Sequence, residues 1–305
     1  MKSSTEEAEV FTLESEELVV RISSLGAEIK SVQDRIHGFE FMWHGDPTVW
    51  PRTAPVLFPI VGRVKGDHIT VDWKEYPLSQ HGFIRDTVFA MIEITDNSIS
   101  FQAAASDASL SKYPYEFWLS ITYRLFRRRL SVTYDVLNRD TKILHYSIGA
   151  HPGFHLPVED LTRFKLCFEL PENLERVYLS NGLLTNNQES LGVNVTELKL
   201  SSDLFTKEKD AIIFQGLNST SVELLLNGDP DYRIDMQFHG FPFFGIWTKP
   251  DCNRFICLEP WAGIADPEHS DTTDFPQKKG ILSLTPGALG THRYEISFFA
   301  PSSVH

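Results

Sequence analysis

Short apolar runs recur along the chain, and each is cut off by Gly, Pro, Asn or Asp. Residues 18–22 form one such run and lead into Leu25, Ala27 and Ile29. Residues 87–94 precede Asp96-Asn97 and a second run at 99–103. Residues 117–125 and 130–137 flank Arg127, Arg128 and Arg129 and read as one long hairpin. Further runs cover 164–170, 211–214, 221–226, 232–238, 243–247, 255–258 and 294–299. They are rich in Val, Ile, Phe, Tyr and Thr, the side chains that suit a pleated, half-buried surface. A 3.6-residue period is nearly absent, and only 106–113 predicts a short helix. Many short strands at close spacing predict an all-β protein, a single large antiparallel β-sandwich. No linker and no fixed-period repeat divides the chain, so one domain is expected over 1–305.

Composition narrows the functional classes. The chain has 305 residues and is 42% hydrophobic, enough to bury a sizeable core without staples. The formal net charge of −13 repels polyanions, so no nucleic acid is expected as a partner. The one basic cluster, 127–129, reads as a solvated hairpin turn. Three cysteines, Cys167, Cys252 and Cys257, make no disulfide framework and fit a reducing compartment. The N-terminus carries no apolar leader. The longest apolar stretch, 54–62, contains Pro55 and Pro59 and falls well short of the ~20 residues that span a membrane. A soluble, cytoplasmic protein without a membrane partner is expected.

Three segments place polar chemistry beside buried runs. One is Gly62-Arg63 with the later stretch Gln80-His81-Gly82-Phe83-Ile84-Arg85-Asp86. The second is Gly149-Ala150-His151-Pro152-Gly153-Phe154-His155. The third is Ile256-Cys257-Leu258-Glu259-Pro260-Trp261. Glu259 follows four apolar residues at the expected end of a strand. A carboxyl there needs partners or its pKa rises, which suits a general base near neutral pH. Its plain alternative is a Glu emerging into solvent. His81 and His151 are candidates for acid chemistry, against the commoner role of a satisfied structural His. Arg63 and Arg85 offer forked donors for hydroxyl or anionic oxygens, against simple surface solubility. Trp43, Trp50, Trp247 and Trp261 lie near loops and could face a sugar ring, although most aromatics in a β protein are core.

Metal and cofactor readings are weak. Pro152 and Gly153 forbid a helical His151-x-x-x-His155 zinc pair. Asp266, Glu268, Asp271 and Asp274 lack the Gly and terminal Glu of a calcium loop. No phosphate loop, dinucleotide fingerprint or Gly-x-Ser-x-Gly elbow is present.

The segments together resemble the aldose 1-epimerase (galactose mutarotase-like) superfamily, and within it the LacX-type branch. The likeness runs from Leu25-Gly26-Ala27-Glu28 to Leu284-Thr285-Pro286-Gly287. It is carried by Phe41-Met42-Trp43-His44-Gly45, Pro55-Val56-Leu57-Phe58-Pro59-Ile60-Val61-Gly62-Arg63, His81-Gly82-Phe83-Ile84-Arg85-Asp86, His151-Pro152-Gly153-Phe154 and Leu258-Glu259-Pro260-Trp261. The resemblance implies a β-supersandwich, no cofactor, and an isomerase that interconverts the α and β anomers of an aldose. It implies His151 as the acid, Glu259 as the base, His81 and Arg63 as supporting groups, and Asp210 on the sugar hydroxyls. Arg85, by its forked donors, and Trp261, by its ring, are further candidates to bind the substrate. Oligomeric state stays open between monomer and homodimer. Classical galactose mutarotases carry Gly-Gly after the first His and a Leu-Glu-Thr-Gln type motif. The forms here look closer to the hexose 6-phosphate mutarotase branch, so free and phosphorylated aldoses both stay open. A non-catalytic sugar-binding or sensing protein on the same scaffold is the alternative, and a glycosidase-related domain ranks third.

Overall fold

The computed structural model describes residues 8–301. Among them, a fifteen-stranded sheet dominates, and all its ladders are antiparallel. At one end lie the strands Val56–Leu57, Ile148–Ala150, Phe255–Ala262, Phe243–Trp247 and Ile212–Gln215, in that order. The other end is the meander of Arg129–Asn138, Phe117–Phe126, Ser98–Ala104 and Ala90–Ile94. A separate three-stranded sheet joins Val10–Glu14, Leu18–Ser23 and Ile29–Asp34. The antiparallel β-sandwich architecture is as the apolar pattern predicts.

Alternation explains the meander. In Phe117–Phe126 every second side chain (Phe117, Leu119, Ile121, Tyr123, Leu125) is buried. These side chains join a core that reaches from Leu13 to Ala300. Full burial of each such aliphatic stabilises the fold by roughly 1.5–3 kcal/mol. The Tyr123 hydroxyl donates to the Ala27 carbonyl and ties the small sheet to the large one. The predicted helix is real but short: Asp107–Leu110, capped by a reciprocal Ser106–Ser109 box.

Three local expectations need correction. The 127–129 turn is not simply solvated, because Arg128 donates to the fully buried Asp34 at 2.7 Å. Burial pushes the Asp34 pKa up, but the Arg128 hydrogen bond, the His37 and Ile36 N–H donors and the Arg128 charge together outweigh it and hold the carboxyl below its usual range. The run at 164–170 continues as Phe164–Ser180 and pairs with Leu183–Lys199. Its polar second half hid it, and register shifts around Pro171 absorb a residue that cannot donate to a ladder. Finally, the strand expected to stop at Leu258 runs from Phe255 to Ala262, so Glu259 sits in mid-strand rather than at its end.

That last strand positions the site. Its two faces bury separately: Ile256, Leu258 and Ala262 enter the main core, while Cys257 and Trp261 pack into smaller clusters on the other side. Pro260 survives in a central strand because the neighbouring ladder is broken there. Ile148–Ala150 pairs with its end and Gly153–His155 with its start, and His151-Pro152 spans the gap. The gap that accepts a proline therefore also sets His151 beside Glu259.

Candidate active site

A cavity of about 280 Å³ opens over the Cys257–Trp261 face. His81, Arg85, His151, Asp210, Glu259 and Trp261 all line it, together with Trp50, Trp247 and Gln80. Six of the seven residues singled out in the sequence thus converge from four separate segments. Arg63 does not. Its guanidinium grips Asp67 through Nε (2.7 Å) and Nη2 (2.5 Å) and donates to the Asn181 carbonyl, facing an outer groove instead. The expected supporting role of Arg63 has no geometry in this structure, since an i,i+4 carboxylate has captured the side chain. Arg85 occupies the cavity wall in its place, donating to the Gln80 carbonyl at 2.8 Å with a buried Nε left unpartnered.

His151 and Glu259 form the centre. His151 Nε2 lies 3.1 Å from Glu259 Oε2, and the carboxyl is 1% exposed. Burial pushes the Glu259 pKa well up, and the nearby Asp210 charge adds to this, while Trp261 opposes it. Burial pushes His151 down to about 3, with Arg85 and Arg52 lowering it further. The two atoms are in ion-pair range without hydrogen-bond geometry, since Glu259 Oε2 has no hydrogen-bond partner. Burial disfavours the charged form of each group and so favours neutral imidazole beside a protonated carboxyl. The imidazolium–carboxylate form holds the same number of protons.

Aromatic rings hold the imidazole. Trp50 lies tilted against His151 with centroids 5.0 Å apart, and Trp247 meets it edge-on at 5.7 Å. Trp43, by contrast, is fully buried and stacks on Phe255, so it is a core residue and not a platform. Trp261 needs room that two glycines supply. A Cβ at Gly149 would lie 2.7 Å from the indole, and one at Gly245 would lie 2.8 Å from it. These two residues flank Trp261 and Glu259 on the neighbouring strands. A single sequence shows no reason for either glycine.

His81 is oriented by backbone. The Gly62 N–H donates to its Nδ1 at 3.2 Å, and the His81 N–H donates back to the Gly62 carbonyl at 2.8 Å. This assigns the ring proton to Nε2; Gln80 Nε2, itself a donor, lies 3.3 Å from that nitrogen, so the Gln80 amide accepts from His81 only with its oxygen turned to the ring. Burial, then His151, Arg85 and Arg52, keep its pKa well below the ordinary histidine value. His81 is thus a neutral donor. Asp210 accepts from the Trp247 indole at 3.2 Å, and burial raises its pKa while Trp247 and Arg176 oppose the rise.

One set of possible metal donors exists among the described residues: His151, Cys257 and Glu259, all within 4.8 Å of one another. Burial pushes the Cys257 thiol and the Glu259 carboxyl toward their protonated forms, which are poor ligands. The arrangement fits proton transfer better than cation binding.

Known proteins match this chain over most of its length. The profile of a family described as aldose 1-epimerase matches residues 9–280. The plasmid-encoded protein LacX of Lactococcus lactis subsp. lactis is 32% identical over 287 residues, 89% of this chain and 94% of that one. The structure of a galactose mutarotase related enzyme from Lactobacillus acidophilus superposes with a TM-score of 0.91 at 33% identity, covering 97% of this chain and all of that one. A galactose mutarotase-like protein from Lactobacillus casei gives 0.89 at 29% identity, covering 95% and 99%. Among the described residues, no helix is long and apolar enough to cross a membrane.

Proposed function

The chain belongs to the aldose 1-epimerase family, and on that premise we propose that it interconverts the α and β anomers of a free aldose by proton transfer between His151 and Glu259. The observation that carries this reading is the 3.1 Å approach of the two groups on the wall of the cavity. Ring opening breaks the bond between C1 and the ring oxygen. Opening starts from the form in which the pair's proton is on His151: the ring oxygen takes that proton, and Glu259, then a carboxylate, takes the proton of the anomeric hydroxyl as C1 becomes an aldehyde. The open chain turns about C1–C2. The ring oxygen then attacks the other face of C1 and returns its proton to His151, while Glu259 returns the other to O1. The two protonation states before and after opening are the two tautomers of the one-proton pair, so the pair is reset at each closure. His81 and Arg85 aim donors at the sugar oxygens, where charge shifts as the ring opens.

Cavity size favours a single sugar ring. About 280 Å³ lies at the small end of small-molecule sites, which run to roughly 300–1,000 Å³. Charge favours an unphosphorylated one. Asp210 and Glu259 line the cavity, and Arg63 and Arg52 are engaged by Asp67 and Asp86. Those two carboxyls are also what a glycosidase would need. The direct His151–Glu259 contact favours anomer exchange over that second reading.

The test is anomer exchange followed by NMR saturation transfer on glucose, galactose and glucose 6-phosphate. Faster exchange of a free aldose is expected. Folded protein that binds sugar without accelerating exchange is a sensor, and released monosaccharide from a disaccharide marks a glycosidase; either outcome ends this reading.

The same assay reports pH dependence. His151 is held well below its ordinary value and Glu259 well above its own. Between those limits the pair keeps one proton. We expect kcat to stay flat through the neutral range, with no inflection near the unperturbed histidine value of about 6.5. It falls in acid as His151 and Glu259 both become protonated, and in alkali as the last proton leaves. The two arginines give a third prediction. Arg85→Ala lowers kcat/KM by about tenfold or more, as removal of a placed donor does. Arg63→Ala, measured alongside, stays within a few-fold of the parent.

A further inference from the structure

Asp210 lines the cavity at the end of a turn in which the Lys209 and Asp210 N–H groups donate to the Thr206 carbonyl, at 3.1 and 2.8 Å. Its backbone is left-handed, with φ of 50°, a region that Asp tolerates better than most residues with a Cβ. A second hold on this turn is Arg176, 34 residues away on the long strand Phe164–Ser180. Arg176 is completely buried. One nitrogen, Nη2, donates to three successive carbonyls: Lys209 at 2.8 Å, Asp210 at 3.3 Å and Ala211 at 3.1 Å. The guanidinium also lies over the Tyr178 ring at 5.1 Å, and Nη1 is 3.9 Å from Glu189. The Tyr178 hydroxyl donates to Glu189 at 2.5 Å, and Lys209 Nζ lies 3.6 Å from the same carboxyl.

We propose that Arg176 is a positioning residue, which fixes the 209–211 backbone through three carbonyls and thereby presents the Asp210 carboxylate to the sugar hydroxyls. The inference rests on the reading of Asp210 as a sugar-binding group. A buried arginine is costly unless its donors are used, and here part of its hydrogen-bonding capacity is unmet: Nε and Nη1 have no hydrogen-bond partner. A structural prop for the fold could be apolar. A cation that collects the carbonyls on either side of one cavity carboxylate does something an apolar residue cannot. It also opposes the effect of burial on Asp210, together with the Trp247 indole, while Glu259 is the facing acid.

The experiment compares Asp210→Asn, Arg176→Lys, Arg176→Met and the double variant Arg176→Lys/Asp210→Asn. Sugar affinity is read as KM in anomer exchange and as Kd by calorimetry, with thermal melts to confirm folding. Asp210→Asn and Arg176→Lys are each expected to weaken affinity about tenfold with kcat changed by less than threefold. The double variant is expected to be no weaker than the worse single one. Arg176→Met adds a shift that a prop would not produce: the acid limb of 1/KM moves to higher pH, because Asp210 loses a nearby positive charge. Should Arg176→Met not fold, Arg176→Lys reads the geometry alone. Weakened affinity in Asp210→Asn with normal affinity in Arg176→Lys, or full additivity in the double, overturns the role of Arg176. Normal affinity in Asp210→Asn overturns the assignment of Asp210 itself, and the proposal falls with it.

Discussion

Glu259→Gln is expected to lower kcat for anomer exchange by about 10²–10⁴-fold while leaving the fold in place. The substitution keeps the shape and the polar end of the side chain but removes its capacity to take and return a proton. Burial pushes Glu259 toward its neutral form, so a neutral amide is a close replacement. No buried charge is created and no cavity opens, and melting should shift by only a few degrees. The sugar site otherwise persists, so affinity should change far less than turnover. Turnover and a thermal melt on the same preparation decide it. A folded Glu259→Gln protein with parental kcat would falsify the assignment of the base.

The second large effect is at His151. His151→Asn should cost turnover on the same scale, about 10²–10⁴-fold, because the ring oxygen loses its proton donor. The informative measurement is the double variant. The two groups lie 3.1 Å apart and serve the same ring opening in the proposed mechanism, so removing either should stop the same transfer. His151→Asn/Glu259→Gln should therefore be about as slow as the slower single variant, as groups that act as a unit are strongly non-additive. Multiplicative losses would mean two independent roles and would require a different pairing of acid and base. The imidazole also packs against Trp50 and Trp247, so the melt of His151→Asn should fall more than that of Glu259→Gln.

Arg85 and Arg63 show where reasoning from the chain reached its limit. Both follow apolar segments and offer the same chemistry. What separates them is a neighbour: Asp67 lies four residues after Arg63 and captures it bidentately, whereas Asp86 lies 4.0 Å from Arg85 Nε and instead pairs with Arg52 at 2.8 Å. The i,i+4 spacing of Arg63 and Asp67 was visible beforehand, but on a non-helical segment it carries no meaning until the backbone is placed. Trp43 and Trp261 divide in the same way. Each sits in an apolar stretch, and only packing sends one into the core and the other to the cavity.

By itself the amino-acid order determined the β architecture, because alternation of apolar and polar positions is a local property that a two-residue period imposes on each strand. It also marked His81, His151 and Glu259, because titratable groups beside buried runs are visible in one dimension; Asp210 was reached only through the family resemblance. The tertiary structure decided what those groups are to one another. Pro260 extends the strand past Glu259, the break between Ile148–Ala150 and Gly153–His155 brings His151 against it, and Gly149 and Gly245 clear the space for Trp261. The burial that follows pushes the His151 pKa down and the Glu259 pKa up. Protonation depends on solvent access and on charges from distant segments, and those exist only once the sheet has closed around the pair.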